Sequence, residues 1–331
     1  MLIETLSTFP HMYDSVMGES MMKRAQEKGI LEFRAHDLRD WTHDRHRTTD
    51  DDPYGGGAGL VMKCDPIFEA VEAILGKEFV EAKLASAMGE PGGISGGAHQ
   101  ASSAANAISP VGCRAERGLS ERLSTTRKAA PGGLASSSTT VEFGGDVGCP
   151  DRASSAAPQI VFLAPQGRPF DDAYADKLAA ADHLLFICGH YEGIDERVYA
   201  LADHVISLGD YVLTSGELAS MVVIDAAVRK LPGVLGAADG PVDESFTSGL
   251  LEYPQYTRPA DFRGMRVPEV LTSGNHAAIA RWRREQSLAR TAAARPDLIA
   301  AAEAANLLTP ADQKFLKLLE PASTGAVEGV S

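Results

Sequence analysis

Cysteine is scarce in this sequence, and what there is does not cluster. Cys64, Cys113, Cys149 and Cys188 are the four cysteines of 331 residues. They form no C-x-x-C pair and have no histidine at metal-ligand spacing, so no metal site is expected. Free thiols in a reducing cytoplasm are the expected state. Long apolar runs are also missing: nothing approaches the roughly 20 residues of a membrane span. The opening MLIETLSTFPHMYDSV lacks the basic stretch and apolar run of a secretory signal. These absences lead to the expectation of a cytoplasmic protein without membrane contact. Positive charge is in deficit, 31 Lys and Arg against 45 Asp and Glu, for a net charge of −14. Indiscriminate binding to nucleic acid is therefore not expected, although a local basic patch remains compatible with that balance.

Phosphate-binding signatures are absent as well. The stretch DDDPYGGGAGL (50–60) runs three acids into a proline, a tyrosine and a glycine cluster. Glycine allows close approach of backbone to a ligand, yet Gly57 and Gly59 are followed by Met62 where a dinucleotide loop needs a third glycine. No Walker lysine follows either, and the acids upstream would repel phosphate. Whatever the loop holds is set by the rest of the chain.

What is present is an α/β pattern broken by one unusual segment. LIETLSTF reads as a buried strand and MYDSVMGESMMKRAQEKG as an amphipathic helix closed by Gly29. ILEFRAHDL reads as a second strand, and DPIFEAVEAI as a helix with Asp65 as N-cap and Pro66 at its first position. From about 85 to 158 roughly half the residues are Ala, Gly or Ser, too little apolar material to offset ordering entropy, so a flexible insertion is expected. From Gln159, the runs QIVFLAP, HLLFICG and HVISLGDYVL alternate with the helical patterns DDAYADKLAA and EGIDERVYAL, and GELASMVVIDAAVRKL follows. That alternation predicts a parallel sheet. Beyond Pro259 the chain reads as helical, with a basic helix ARWRREQSLAR and a last helix around ADQKFLKLLE.

In such sheets ligands bind beyond the carboxyl ends of the strands. Those ends are APQGR, CGHYEGIDER and LGDYVLTSGE. Three irregular loops at one edge would suit an adenosine-type ligand held by backbone groups, with Phe162, Tyr191 and Tyr211 as aromatic walls.

The blocks THDRHRTTDDDPYGGGAGLVM, FLAPQGR, CGHYEGIDERV, SLGDYVLTSGELASMVVIDAAVRKLPGVLG, SGLLEYPQYTRP and SGNHAAIARWRREQSLARTAAARP resemble successive blocks of bacterial tRNA (guanine-N1)-methyltransferases. They stand in that family's order and cover nearly all of the chain except the Ala/Gly/Ser-rich insertion. The resemblance implies a SPOUT methyltransferase: a parallel-sheet α/β domain with a deep trefoil knot over residues 1–235, a linker at 236–258 carrying the catalytic acid, and a small helical tRNA-binding domain at 259–331. It implies a homodimer with an active site shared between subunits. The reaction is methyl transfer from S-adenosylmethionine to N1 of guanosine 37 of tRNA, with a Mg²⁺ requirement left open. The cofactor is expected against Phe162, Leu163, Ala164, Pro165, Gly189, Tyr191, Leu208, Gly209, Asp210, Tyr211, Val212 and Leu213, with Gly216 closing the pocket.

Guanine N1 carries a proton at neutral pH and attacks poorly until that proton is removed. A carboxylate can remove it as general base, and a guanidinium can stabilise charge developing on O6. The resemblance assigns the second role to Arg229. For the first it offers Glu244, where the family has aspartate, with Asp243 one place earlier as the alternative. It places Arg45, His46, Asp50, Gly59, Glu192 and Arg283 toward the tRNA. His190 stands where the family often has arginine, and its role is open. Arg45, His46 and Arg47 form one basic cluster, and Arg281, Arg283, Arg284, Arg290 and Arg295 another, suited to phosphate contact. Two other readings are a SPOUT methyltransferase with a different RNA target and a catalytically silent RNA-binding relative.

Overall fold

The computed structural model describes residues 1–89, 157–235 and 244–319. Its centre is a five-stranded sheet with every pairing parallel, built from β1 (Leu2–Ser7), β2 (Glu32–Asp37), β5 (Gln159–Pro169), β6 (His183–Ile187) and β7 (His204–Ser207), in the order β2-β1-β6-β5-β7. The inner strands read as near-continuous apolar runs because both faces of a parallel sheet are covered. Successive residues point to opposite faces, and the two faces bury different sets. Ile3, Val161, Leu184, Phe186 and Ile206 pack on one side with α1 (Asp14–Met17), α2 (Ser20–Glu27), α5 (Asp172–Ala179) and α6 (Gly216–Val228). Leu6, Ile160, Phe162, Leu185 and Ile187 pack on the other with α3 (Cys64–Leu75) and Val80 of α4 (Lys77–Gly89). The result is three layers, and the apolar runs that suggested strands are the strands of the middle one.

Several local expectations need correction. The helix expected over 12–29 is two helices, α1 and α2, separated at Gly18 and Glu19, with Ser20 in the left-handed region. Gly29 follows α2 with a φ of 67°. Helix α3 starts earlier than expected: Lys63 is its N-cap, Asp65 lies in the first turn and Pro66 is third, so Asp65 acts on the helix dipole and not as a cap. EGIDERVYAL forms only a short 3₁₀ helix, Glu196–Leu201. The segment expected to be flexible from 85 is helical as far as Gly89; the rest of that expectation, residues 90–156, lies outside the described residues.

After β2 the chain makes a small antiparallel hairpin, β3 (Asp50–Asp51) and β4 (Val61–Met62). Farther on come the hairpin β8 (Asp261–Phe262) and β9 (Met265–Arg266), then α7 (Glu269–Thr272), α8 (His276–Ala294), α9 (Pro296–Ala304) and α10 (Pro310–Leu319). Leu250, Leu288, Ala302 and Leu308 form a core of their own among these helices.

His204, buried at the start of β7, takes the hydroxyl of Tyr174 on Nδ1 at 2.9 Å and meets Gln159 Oε1 with Nε2 at 2.8 Å. A neutral imidazole satisfies both. Burial, aided by Lys177, holds its pKa below the ordinary histidine value. A histidine that is harder to protonate folded than unfolded gives stability that is present above about pH 6.5 and lost as pH falls below it. The thermal midpoint should therefore fall between about pH 7.5 and about pH 5.5 more for the wild type than for His204→Gln, which keeps one donor and one acceptor. Equal losses in a thermal melt of the two proteins would refute this.

Candidate active site

The irregular part of β5, whose register against β7 shifts between Leu163 and Arg168, and the loops after β6 and β7 enclose a cavity of about 330 Å³. Leu163 to Gln166, Gly189 to Ile194 and Leu208 to Gly216 supply most of its wall. The volume is at the lower end of the range for small-molecule sites. No lysine or arginine lines it, whereas Glu192 and Glu196 do. A phosphate would find no counter-charge here; a neutral or cationic ligand held by backbone groups would fit.

Glycine makes this wall possible. Gly216 N donates to Gly189 O at 2.7 Å, and a Cβ on Gly216 would sit 2.7 Å from Gly189 N and 3.1 Å from Cys188 Cα. Likewise a Cβ on Gly167 would sit 2.5 Å from backbone atoms of Ile206. In the first place the start of α6 is pressed onto the loop after β6, in the second β5 onto its neighbour β7, and neither leaves space for a side chain.

Most residues expected against the cofactor line this cavity, but two do not. Asp210 is not in the wall, and Phe162 is fully buried on the α3 side of the sheet. Phe162 and Leu163 are neighbours on a strand and face opposite ways. The third aromatic wall is Tyr199, stacked on Phe162 with ring centroids 4.9 Å apart, alongside Tyr191 and Tyr211. Ser207, Thr214 and Ser215 also line the cavity and were not anticipated. The Ser and Thr positions follow from the strand-end rule; Tyr199, beyond the loop, carried no signal of its own.

His190 gains a partner. Its Nδ1 lies 3.9 Å from Oε2 of Glu217, a fully buried carboxylate on α6. The other Glu217 oxygen accepts from Ser7 Oγ at 2.5 Å. Neither His190 Nδ1 nor Glu217 Oε2 has a hydrogen-bond partner among the described residues. A buried polar atom without a partner is costly, and these two face each other across that 3.9 Å gap. Behind it, Tyr13 hydroxyl contacts Ser220 Oγ at 2.7 Å and Cys188 Sγ at 3.1 Å. Burial pushes the Cys188 thiol up to about 12, which makes it a poor nucleophile at neutral pH.

The acidic, glycine-rich stretch is the β3–β4 hairpin, and it docks on the middle loop of the cavity. Glu192 N donates to Leu60 O at 3.1 Å, and Met62 N to Gly193 O at 3.0 Å. Gly59, with a φ of 82°, lies under the Glu192 side chain, where a Cβ would be 2.3 Å from Cγ. Burial and the adjacent Asp50 carboxylate raise the pKa of the Tyr191 hydroxyl. Asp50, Gly59, Tyr191 and Glu192 are thus brought together at the cavity rim. Arg45 and His46 are exposed on the preceding turn.

Arg229 caps the carboxyl end of α6, and its Nη2 donates to Glu244 Oε1 at 2.7 Å. Each side chain is 34% exposed, open enough to meet a substrate. Neither lines the cavity. Helix α6 begins at the cavity with Gly216, and 13 residues at about 1.5 Å each carry the chain roughly 20 Å away by Arg229. The pair and the cavity of one chain are therefore separate. Asp243 lies outside the described residues.

The second basic cluster is mostly spent on the protein itself. Arg284 grips Asp312 through two bonds of 3.1 and 2.9 Å, Arg281 pairs with Glu285, Arg295 with Asp297, and Arg290 donates to the Glu252 carbonyl. Arg283 differs, lying over the Tyr253 ring at 4.8 Å. Among the described residues no group of three or more His, Cys, Asp or Glu side chains could hold a metal ion. No helix of those residues is long and apolar enough to cross a membrane.

Comparison with known proteins identifies the family. The family model described as tRNA (guanine-1)-methyltransferase TrmD matches residues 1–125 and 147–301. A tRNA (guanine-N(1)-)-methyltransferase of Symbiobacterium thermophilum is 42% identical over 317 residues, 96% of this chain and 97% of that protein. The enzyme of that name from Limosilactobacillus reuteri is 42% identical over 92% of this chain and 91% of its own length. That of Geotalea uraniireducens is 41% identical over 97% of both. The chain belongs to the tRNA (guanine-1)-methyltransferase TrmD family.

Proposed function

We propose that this protein methylates N1 of guanosine 37 in tRNA, with Glu244 as general base and Arg229 stabilising the charge that develops on O6. The observation that carries these roles is the 2.7 Å Arg229–Glu244 contact at the open end of α6. The carboxylate takes the N1 proton within hydrogen-bond reach. The guanidinium, already oriented by that carboxylate, keeps a second edge free for O6. As one methylene separates glutamate from the family's aspartate, the Arg229 contact serves to fix the longer side chain.

S-adenosylmethionine, the donor that the family's chemistry implies, would supply an electrophilic methyl group from the strand-end cavity. Leu163 to Pro165, Gly189, Tyr191, Leu208, Gly209, Tyr211 to Leu213 and Gly216 would hold it. The absence of basic side chains and the presence of Glu192 and Glu196 in the wall support a cationic sulfonium ligand. The close backbone contacts at Gly167 and Gly216 support the family's trefoil knot, and the separate core around Leu288 supports its helical tRNA-binding domain beyond the linker. A tRNA substrate supports a cytoplasmic location.

A working site needs two chains. Since the acid–base pair stands about 20 Å along α6 from its own cavity, a second copy must bring its Arg229 and Glu244 to the cofactor. Helix α6 presents Leu218 and Val222, 43% and 54% exposed, as the apolar face for this homodimer.

Two tests follow. Labelled methyl groups from S-adenosylmethionine should reach a tRNA transcript with guanosine at position 37 and not one with adenosine there. Glu244→Gln should lower the rate by about 10²–10⁴-fold, whereas Asp243→Asn should leave it within about threefold, and the reverse order would move the base to Asp243. Label on neither transcript would favour a different RNA target or a silent relative. In the second test, Val222→Glu should run as a monomer in size-exclusion chromatography and lose methyl transfer. An active monomer would refute the shared site.

A further inference from the structure

A second cavity, of about 390 Å³, lies between the segment Tyr253–Arg258, the β8–β9 hairpin, α7 and the first half of α8. Its walls are Tyr253, Tyr256, Trp282, Leu271, Ile279 and Val267, joined by Arg258 and Arg283. None of these side chains is buried. The contrast with the second half of the same helix is sharp, since Ser287, Leu288 and Thr291 are buried against their neighbours. Apolar and aromatic surface is thus left facing a concavity instead of closing a core.

The arrangement has the chemistry of a base pocket. The rings of Tyr256 and Trp282 lie 6.3 Å apart, tilted by 53°, and the Arg283 guanidinium covers Tyr253 at 4.8 Å. Aromatic rings and a flat guanidinium are the surfaces on which unpaired nucleobases stack. Arg258 and Arg283 form no ion pair with another described residue, unlike Arg281, Arg284 and Arg295. Two uncommitted cations beside stacking rings match a base with its phosphates, in a chain whose overall charge is −14.

We propose that this cavity receives an unpaired nucleobase of the tRNA substrate, stacked against Tyr256 and Trp282, with Arg283 and Arg258 on the adjoining phosphates. The inference rests on tRNA being the substrate and adds a contact separate from the methylated base.

The protein has two tryptophans, Trp41 and Trp282, so Trp41→Phe leaves Trp282 as the sole indole. Its fluorescence should be quenched on titration with tRNA, saturating with the tRNA binding curve, and should not change with GMP or AMP at equal base concentration. Tyr256→Ala in that background should weaken tRNA binding about tenfold with the salt slope kept, whereas Arg283→Gln should lower the slope by about one. Both variants should keep the thermal midpoint and the S-adenosylmethionine affinity of the parent. Unquenched Trp282 at saturating tRNA, with unchanged affinity in Tyr256→Ala, would overturn the proposal. So would saturable quenching by a mononucleotide, which would mark a free-nucleotide site. Shielding of Trp282 from acrylamide before any tRNA is added would also overturn it, since the protein would be filling the cavity itself. Methyl transfer by the Trp41→Phe protein, measured alongside, separates these outcomes from a failure of the enzymatic assignment.

Discussion

Backbone pressed against backbone is the constraint from which the rest of this molecule follows. At Gly216 one strand-end loop lies on another with no room for a methyl group, and at Gly167 the end of β5 lies on β7 in the same way. Where loops pack this tightly they present amide and carbonyl groups at fixed positions, between the longer side chains such as Tyr191 and Tyr211 that complete the wall. A cavity so made selects by shape and by hydrogen bonding. With Glu192 and Glu196 but no lysine or arginine in its wall, it turns away phosphate. The opening acidic glycine stretch fits this picture as a clasp, its hairpin hydrogen-bonded to the 192–195 segment that forms one wall.

A second consequence is division of labour. The same helix that closes the cavity with its first residue ends on Arg229, which meets Glu244 there. A rigid helix cannot bend that pair back, and this separation is the ground on which a site shared between two chains is proposed. In that proposal the partly exposed Leu218 and Val222 on the helix supply the interface. Beneath the cavity, the Ser7–Glu217–His190 contacts tie the ends of β1 and α6 to the loop that carries Tyr191.

Much of this was legible in the residues, for identifiable reasons. The strands were visible because a sheet covered on both faces leaves apolar runs unbroken, and the strand-end loops because open α/β sheets bind ligands there. The motif blocks carried the family, and the roles proposed for Arg229 and Glu244 come through it. What failed was whatever depends on direction or on distant partners. Periodicity shows that Phe162 and Leu163 point opposite ways but not which way, and Phe162 turned out to be core while Tyr199 took its place at the wall. The arginines of α8 looked like one basic surface until Asp312, 28 positions from Arg284, claimed one of them. The break between α1 and α2 was hidden because its residues, apart from Gly18, are acceptable in a helix.

The most direct test of the central claim is the affinity of Gly216→Ala for S-adenosylmethionine by titration calorimetry, on protein shown to be folded by circular dichroism. A single methyl group there must push the Gly189 loop outward, so binding should weaken about tenfold or more, since misplacing contacts by about 1 Å costs on that order. Unchanged affinity would mean that the backbone contact between these loops does not shape the cofactor site.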